Sequence, residues 1–105
     1  MREVHKFIPE EPKTQGGVWR GSFNFDGTIR QIIIRPSSAD TTYNFGIIDE
    51  TGMVIYRRDR LKGFFIDPPD SKQLGLIVFA GEKVIVIEEA SKDEMFDIRL
   101  VYQLW

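Results

Sequence analysis

Three adjacent pairs of acidic residues are the side chains in this sequence with the most evident capacity for chemistry. They are Asp49-Glu50, Glu88-Glu89 and Asp93-Glu94. A glycosidase-like mechanism would need two carboxylates that face one cleft, one as acid and one as nucleophile. Each pair instead lies at or beside a predicted turn, where acidic side chains are solvated and where Asp helps to form the turn. We therefore interpret all three pairs as structural.

Other catalytic or metal-binding groups are scarce. Asp93, Glu94 and Asp97 form a cluster of hard oxygen donors, so Ca²⁺ stays an alternative, although the spacing of an EF-hand is missing. The only histidine, His5, lies in an N-terminal segment outside the predicted body of the fold and cannot serve a triad there. With no cysteine, no nucleophile elbow and no phosphate-binding glycine motif, the sequence predicts a protein that is not an enzyme and needs no cofactor.

Charge and aromatic content bear on binding. A basic stretch, residues 57–62, could contact phosphates, but Asp59 interrupts it and the net charge is −2. Nucleic-acid-binding domains usually carry a strong basic excess, so we expect no nucleic-acid partner. The aromatic side chains could form a sugar-stacking platform; those that alternate along strands are expected in the core, which leaves Phe64 or Phe65 and Trp105 as exposed candidates.

The chain of 105 residues is long enough for one domain. No apolar run approaches the length of a membrane span, and the first residues lack the apolar core of a signal peptide, so we expect no membrane association and assembly in a cytoplasm. Residues 1–16 contain Pro9 and Pro12 and show no periodicity, which predicts an extended arm. This arm either docks on a neighbouring subunit or is a free terminus.

Residues 17–105 are predicted to form one domain of strands and turns, organised around a central hairpin at Thr42–Arg57. Apolar alternation leads into Asp49–Gly52, where Asp opens a turn and Gly closes it. In the predicted register Asp49 pairs with Met53, Ile47 with Ile55, and Ile48 with Val54. One face, expected in the core, carries Tyr43, Phe45, Ile47 and Ile55, and the other carries Ile48, Val54 and Tyr56.

Two further hairpins are predicted, one on each side of the central one. The first, Val18–Arg35, turns at Asp26-Gly27, and Gly21 leaves room for its bulky neighbours. The other, Gln73–Glu89, turns at residues 80–82, and its near-continuous apolar arms indicate strands covered on both faces. A charged connection at 57–63, a short strand at Phe64–Ile66 and a last strand at Met95–Trp105 complete the chain. About eight strands and no helix predict an all-β fold, a single antiparallel β-sandwich of jelly-roll or Ig-like type.

These strands carry more apolar surface than one small sandwich can bury. Exposed apolar patches of this kind mark protein–protein contacts. The predicted partner interface consists of Phe7, Ile8, Ile33, Ile48, Val54, Tyr56 and Trp105. The alternative is that the second sheet or the N-terminal arm covers these side chains.

Two segments within Ile32–Tyr102 resemble small structural proteins of tailed bacteriophage particles. The first has an alternating Tyr/Phe strand, an Asp-x-x-Gly turn and an Ile-Tyr return strand, here Tyr43, Phe45, Ile47, Asp49, Gly52, Ile55 and Tyr56. The second has an Ile-Glu-x-Ala-Ser turn followed by a closing strand, here Ile87, Glu88, Ala90, Ser91, Phe96, Ile98 and Leu100.

The resemblance implies a structural role in a virion. It points to a capsid decoration (cement) protein, a trimer or other homo-oligomer that binds the major capsid protein and stabilises the head shell, or to a neck or tail component. The arm and the apolar outer face would bury surface across subunit boundaries. A carbohydrate-binding β-sandwich module that uses exposed aromatic residues is the alternative from another class.

Overall fold

The turn at Asp49–Gly52 is the point at which the chain folds back on itself. The backbone N–H of Asp49 donates to the Met53 carbonyl at 2.8 Å. The Asp49 carboxylate accepts hydrogen bonds of 2.9 Å from the N–H groups of Thr51 and Met53, and these bonds, with one from the Thr51 hydroxyl, lower its pKa. Gly52 has a φ of 87°, which glycine adopts without a steric penalty. The predicted turn and its Asp49–Met53 pair are confirmed.

The computed structural model describes residues 3–70 and 72–105, so Met1 and Arg2 of the predicted arm, together with Ser71, lie outside the described residues. The described part contains nine strands and no helix. In chain order the strands are β1 (Val4–Phe7), β2 (Trp19–Phe23), β3 (Gly27–Pro36), β4 (Thr42–Ile48), β5 (Val54–Lys62), β6 (Phe65–Asp67), β7 (Leu76–Val78), β8 (Lys83–Glu88) and β9 (Phe96–Leu104).

The strands pair as if one long β-hairpin, with its turn between β4 and β5, had been folded over. From the central turn outwards, β4 pairs with β5, β3 with β6 and β7, β2 with β8, and β1 with β9, all antiparallel. The folded hairpin forms two sheets, one with the order β1-β9-β3-β6 and with β7 also beside β3, the other with the order β2-β8-β4-β5. Apart from the short β7, this is the two-sheet, eight-stranded arrangement of a jelly roll. The predicted antiparallel β-sandwich is confirmed.

The core lies between the two sheets and takes side chains from both. β9 supplies alternate residues, Phe96, Ile98 and Leu100, as its sequence pattern predicts. In β3 a bulge after Ile29 changes the alternation, so that Ile29, Ile32 and Ile34 are all fully buried. The other buried apolar members are Phe23, Tyr43, Phe45, Ile47, Tyr56, Val78, Ile85 and Ile87.

The first predicted hairpin is wrong. Its two arms became β2 and β3, which lie in different sheets, and residues 24–26 cross between them. Gly27 serves a close approach instead of a hairpin turn, because a Cβ there would collide with the backbone carbonyl of Gln103 on β9. The prediction for Gly21 is confirmed, since a Cβ at that position would lie 2.5 Å from the Trp19 ring.

The predicted hairpin at Gln73–Glu89 is wrong for the same reason. β7 pairs with β3 in the five-stranded sheet, whereas β8 lies between β2 and β4 in the other. The expectation of cover on both faces holds for β8, where Val86 is buried outside the core cluster. It is wrong for β7, where Ile77 and the following Phe79 are 55% and 61% exposed.

Lys83 joins the two crossings between sheets. Its ammonium donates to the carbonyl of Phe25 at 2.7 Å and to that of Phe79, so it links the β2–β3 and β7–β8 connections. The ammonium also lies over the Phe23 ring, 5.3 Å from its centroid. The side chain is fully buried, and this burial lowers the pKa of Lys83 although Glu50 and Asp26 act against it.

A bulge corrects the predicted register of the central hairpin. Ile48 pairs with Val54 as predicted, but Ile47 pairs with Tyr56 and not with Ile55. Tyr56 therefore turns into the core, where it is 7% exposed, against the expectation that it lies on the outer face. The predicted charged connection is also wrong, because β5 continues as a strand to Lys62.

The described part of the N-terminal segment lies along the last strand of its own chain. β1 pairs with β9 from Val4 opposite Gln103 to Phe7 opposite Leu100. Further on, the carbonyl of Pro12 accepts a hydrogen bond of 2.8 Å from the N–H of Phe96. The described part of the segment therefore packs on its own subunit, and β1 forms one edge of the five-stranded sheet.

Candidate functional site

An exposed apolar cluster lies at one end of the five-stranded sheet, where β7 and β9 flank β3. Thr28 of β3 pairs with Ile77 on one side and with Gln103 on the other. Phe79 and Trp105 follow the ends of these two flanking strands and meet with ring centroids 5.4 Å apart. We call Ile77, Phe79 and Trp105 the Trp105 patch.

The members of the Trp105 patch are large, apolar and open to solvent. Ile77, Phe79 and Trp105 are 55%, 61% and 52% exposed. The indole N–H of Trp105 donates to the hydroxyl of Thr28 at 3.2 Å, which fixes the ring against the sheet and satisfies its only polar atom. The aromatic rings meet edge to face at 75°, a favourable geometry for such a pair. An exposed apolar surface of this kind is typical of a contact site.

The predicted interface residues do not form one surface. Ile33 and Trp105 belong to the five-stranded sheet, whereas the paired residues Ile48 and Val54 lie at the turn end of the four-stranded sheet. Val54 is 49% exposed, and Ile48 is partly buried.

Ile33 lies beside charged and aromatic side chains. It lines a depression of about 230 Å³ together with Arg35, Phe64, Asp97 and Arg99. The guanidinium of Arg35 lies 4.9 Å from the centre of the Phe64 ring, and Arg99 pairs with Asp97 at 3.1 Å. This part of the sheet therefore carries an ion pair and a cation–aromatic contact beside Ile33, and in this it differs from the Trp105 patch.

Phe7 and Ile8 are neighbours in the N-terminal segment, and their side chains point to opposite sides of it. Phe7 packs inwards, with its ring centroid 5.8 Å from that of Phe23 and 6.2 Å from that of Phe25. Ile8, the next residue, is 54% exposed. Of this pair only Ile8 is therefore open to a partner.

Tyr56 is committed to its own subunit. Its hydroxyl donates to the carboxylate of Asp67 at 2.6 Å, and the guanidinium of Arg58 lies 4.6 Å from the centre of its ring. Burial, followed by the hydrogen bond to Asp67, raises the pKa of Tyr56. A partner cannot reach this ring without opening the core.

The acidic pairs are engaged in local contacts of the fold. Glu89 accepts a hydrogen bond of 2.7 Å from the amide of Asn44, and Glu88 lies 3.7 Å from the guanidinium of Arg57. Asp49 is held in its own turn, as described above. None of these contacts brings two carboxylates to a shared cleft.

Asp93 and Glu94 tie the N-terminal segment and a neighbouring loop to the start of β9. Asp93 accepts hydrogen bonds of 2.9 and 2.8 Å from the N–H groups of Gly16 and Gly17, and these bonds lower its pKa. Burial on its own would raise the pKa of Glu94, but hydrogen bonds from the hydroxyls of Thr41 and Ser38 outweigh it and lower the pKa.

The alternative calcium site does not assemble from these residues. Asp97 pairs with Arg99, away from the partners of Asp93 and Glu94. Over residues 3–70 and 72–105, no three His, Cys, Asp or Glu side chains are grouped so as to hold a metal ion.

Two features of the site escaped the sequence analysis. Ile77 and Phe79 were assigned to a covered strand because their segment is apolar throughout, and only the tertiary pairing of β7 shows its outer face to be open. Lys83 begins the predicted arm after the turn at residues 80–82, and no local signal distinguishes it from the other lysines. Trp105, by contrast, was identified correctly as exposed.

Comparisons of the chain with protein-family models and with curated proteins find no match in either set. The part of the chain that the structure describes has no helix long and apolar enough to cross a membrane.

Proposed function

We propose that the protein is a non-enzymatic structural component of a tailed-phage virion, a decoration protein of the head or else a neck or tail component, that attaches through the Trp105 patch. The observation that carries the proposal is the exposure of three large apolar side chains, one on β7 and two just beyond the ends of β7 and β9, at one end of the sandwich. Burying such side chains against a neighbour is favourable by about 1.5–3 kcal/mol for each one fully buried.

The jelly-roll arrangement supports this role without proving it. Capsid and lectin domains both use this architecture, so the site and not the fold must carry the functional argument. The likeness of the two strand-and-turn segments to phage structural proteins favours the capsid class. In this role the protein would associate with itself and with the major capsid protein or other virion proteins.

The alternative role, a carbohydrate-binding module, finds less support in the Trp105 patch. Sugar rings stack on the faces of flat aromatic platforms, and the rings of Phe79 and Trp105 are inclined at 75° to each other. The indole N–H of Trp105, which could serve a sugar hydroxyl, already donates to Thr28. The patch therefore suits an apolar protein surface better than a glycan.

The proposed function predicts two observations, one on the neighbouring genes and one on purified particles. Genes for a portal or major capsid protein should lie beside the gene for this chain, and the chain should be present at a fixed ratio to the capsid protein in particles purified by density gradient. Quantitative mass spectrometry measures that ratio. A glycan array that gives specific binding, with no chain in the particles, would favour the carbohydrate-binding alternative.

A further inference from the structure

The free edge of β2 is the least protected strand edge of the sandwich. Edge strands carry unpaired backbone groups, and proteins guard them with charges, prolines or short length. β5 carries five charged residues within Val54–Lys62. β6 and β7 have three residues each, and β1 has four, including Lys6.

Of the features that protect an edge strand, β2 has only one charged residue, Arg20. It runs over five residues, Trp-Arg-Gly-Ser-Phe, without a proline. Among the described strands it pairs only with β8, so its other side has no strand partner in residues 3–70 and 72–105. An open depression of about 390 Å³ separates residues 19–22 from residues 7–10 of the N-terminal segment, so this segment lies near the β2 edge without forming a strand pair with it.

The sequence of β2 is complementary to itself about Gly21. In an antiparallel pair of two β2 strands centred on Gly21, Trp19 lies opposite the second copy's Phe23. Arg20 and Ser22, both exposed, lie opposite each other on the outer face. No like charges meet in this register, and each aromatic residue faces another.

We propose that β2 pairs with β2 of a second copy of this chain, antiparallel and centred on Gly21, so that two four-stranded sheets join into one continuous sheet. The twofold symmetry makes the contact self-complementary and closed, as in most homodimers. This inference rests on the proposed function, which leads us to expect self-association. The β2–β2 pair is the contact through which two copies would associate. The Trp105 patch, on the other sheet, stays free to contact the particle.

Ser22 allows a test with two opposite charges at one exposed position. Ser22→Lys places a cation opposite Arg20 twice in the dimer, and Ser22→Glu places an anion there twice. Sedimentation equilibrium of wild type should give about twice the monomer mass of 12.2 kDa at high concentration. We expect Ser22→Lys to raise the dissociation constant about threefold to tenfold and Ser22→Glu to lower it by a similar factor at low salt.

A charge exchange tests the register. The double variant Arg20→Glu/Ser22→Lys creates opposite charges across the pair, so it should lower the dissociation constant below that of wild type, as Ser22→Glu does, although it carries the same Ser22→Lys change that weakens the dimer alone. Met53→Lys adds the same charge at a residue 65% exposed beside β5, three strands away from β2 in the same sheet, and should leave the dissociation constant close to that of wild type at moderate salt.

Three results would overturn the β2–β2 contact: a monomeric wild type, equal effects of the two Ser22 variants, or a double variant whose dissociation constant is no lower than that of wild type. None of these results involves a particle, so each leaves the proposed attachment open. The Trp105→Asp variant tests the particle role separately. If it still dimerises but no longer attaches to particles, the particle role is supported and the β2–β2 contact is unaffected.

Discussion

The hydroxyl of Tyr56 lies 2.6 Å from a carboxylate oxygen of Asp67 and thereby joins an edge strand of one sheet to an edge strand of the other. Arg58 completes this contact, 3.2 Å from Asp67. The β5–β6 side of the sandwich is thus closed by hydrogen-bonded polar groups. The opposite side ends in β1 and β2, and β2 carries the open edge proposed here for pairing.

Removing the Tyr56 hydroxyl should destabilise the fold without changing its shape. We expect Tyr56→Phe to lower the free energy of unfolding by about 1.5–3 kcal/mol, because a partly buried hydrogen bond to a charged group is lost. Tyr102→Phe is the matched control, since no hydrogen bond from its hydroxyl occurs among the described residues and its ring stacks on Phe25. Urea unfolding measures both. Equal effects of the two substitutions would contradict the role assigned to the Tyr56–Asp67 bond.

The two core tyrosines should make the fold sensitive to alkali. Burial raises the pKa of both Tyr43 and Tyr56 above the ordinary value of about 10. Above that pH the unfolded chain loses their protons while the folded chain keeps them, so stability is complete below pH 10 and falls as the pH rises beyond it.

Comparing wild type with Tyr43→Phe/Tyr56→Phe isolates this effect. Lys83, whose folded pKa is lowered, adds stability as the pH rises towards about 10.5, but it is common to both proteins and cancels. Urea unfolding from pH 9 to 11 should show a steeper loss of stability in wild type. Parallel pH profiles would contradict the burial of these hydroxyls.

Replacing Lys83 should destabilise the fold more than replacing a solvent-exposed lysine. Lys83→Met keeps the apolar stem but leaves the carbonyls of Phe25 and Phe79 without their donor, which costs about 1–3 kcal/mol. Hydrogen exchange should increase at residues 24–26 and 79–82.

An exposed lysine provides the comparison for Lys83. Lys92→Met removes a solvent-exposed ion pair with Asp40, and because solvent screens such pairs it should change stability much less than Lys83→Met. If Lys83→Met is as mild as Lys92→Met, Lys83 does not hold the two crossings together.

Local sequence predicted the strands well but their partners poorly. The alternation in β9 and the Asp49–Gly52 turn gave correct faces and a correct pair, because both depend on neighbours along the chain. The pairings of β2 with β8 and of β3 with β9 join residues far apart in sequence, and no turn chemistry encodes them. Asp26-Gly27 was mistaken for a hairpin turn because a glycine needed for close approach to β9 looks the same as one needed for a turn.

The candidate site was predictable only in part, for the same reason. Trp105 lies outside the alternation of the last strand, so its exposure is predictable without knowledge of the fold. Tyr56 was placed on the wrong face because a single bulge reverses the side-chain alternation beyond it. Ile77 and Phe79 became visible as contact residues only when the pairing of β7 with β3 left them exposed.

The central claim is that the Trp105 patch attaches the folded protein to a phage particle. Trp105→Asp should keep the thermal unfolding midpoint within about 5 °C of wild type, because the ring is 52% exposed. Met53→Asp makes the same change at a residue that is 65% exposed at the central turn and serves as the control.

The decisive measurement is the amount of each variant, relative to the major capsid protein, in gradient-purified particles assembled with it, determined by quantitative mass spectrometry. The account predicts at least a tenfold loss, about 1.4 kcal/mol or more of binding free energy, for Trp105→Asp and none for Met53→Asp. Undiminished incorporation of a folded Trp105→Asp variant would contradict it.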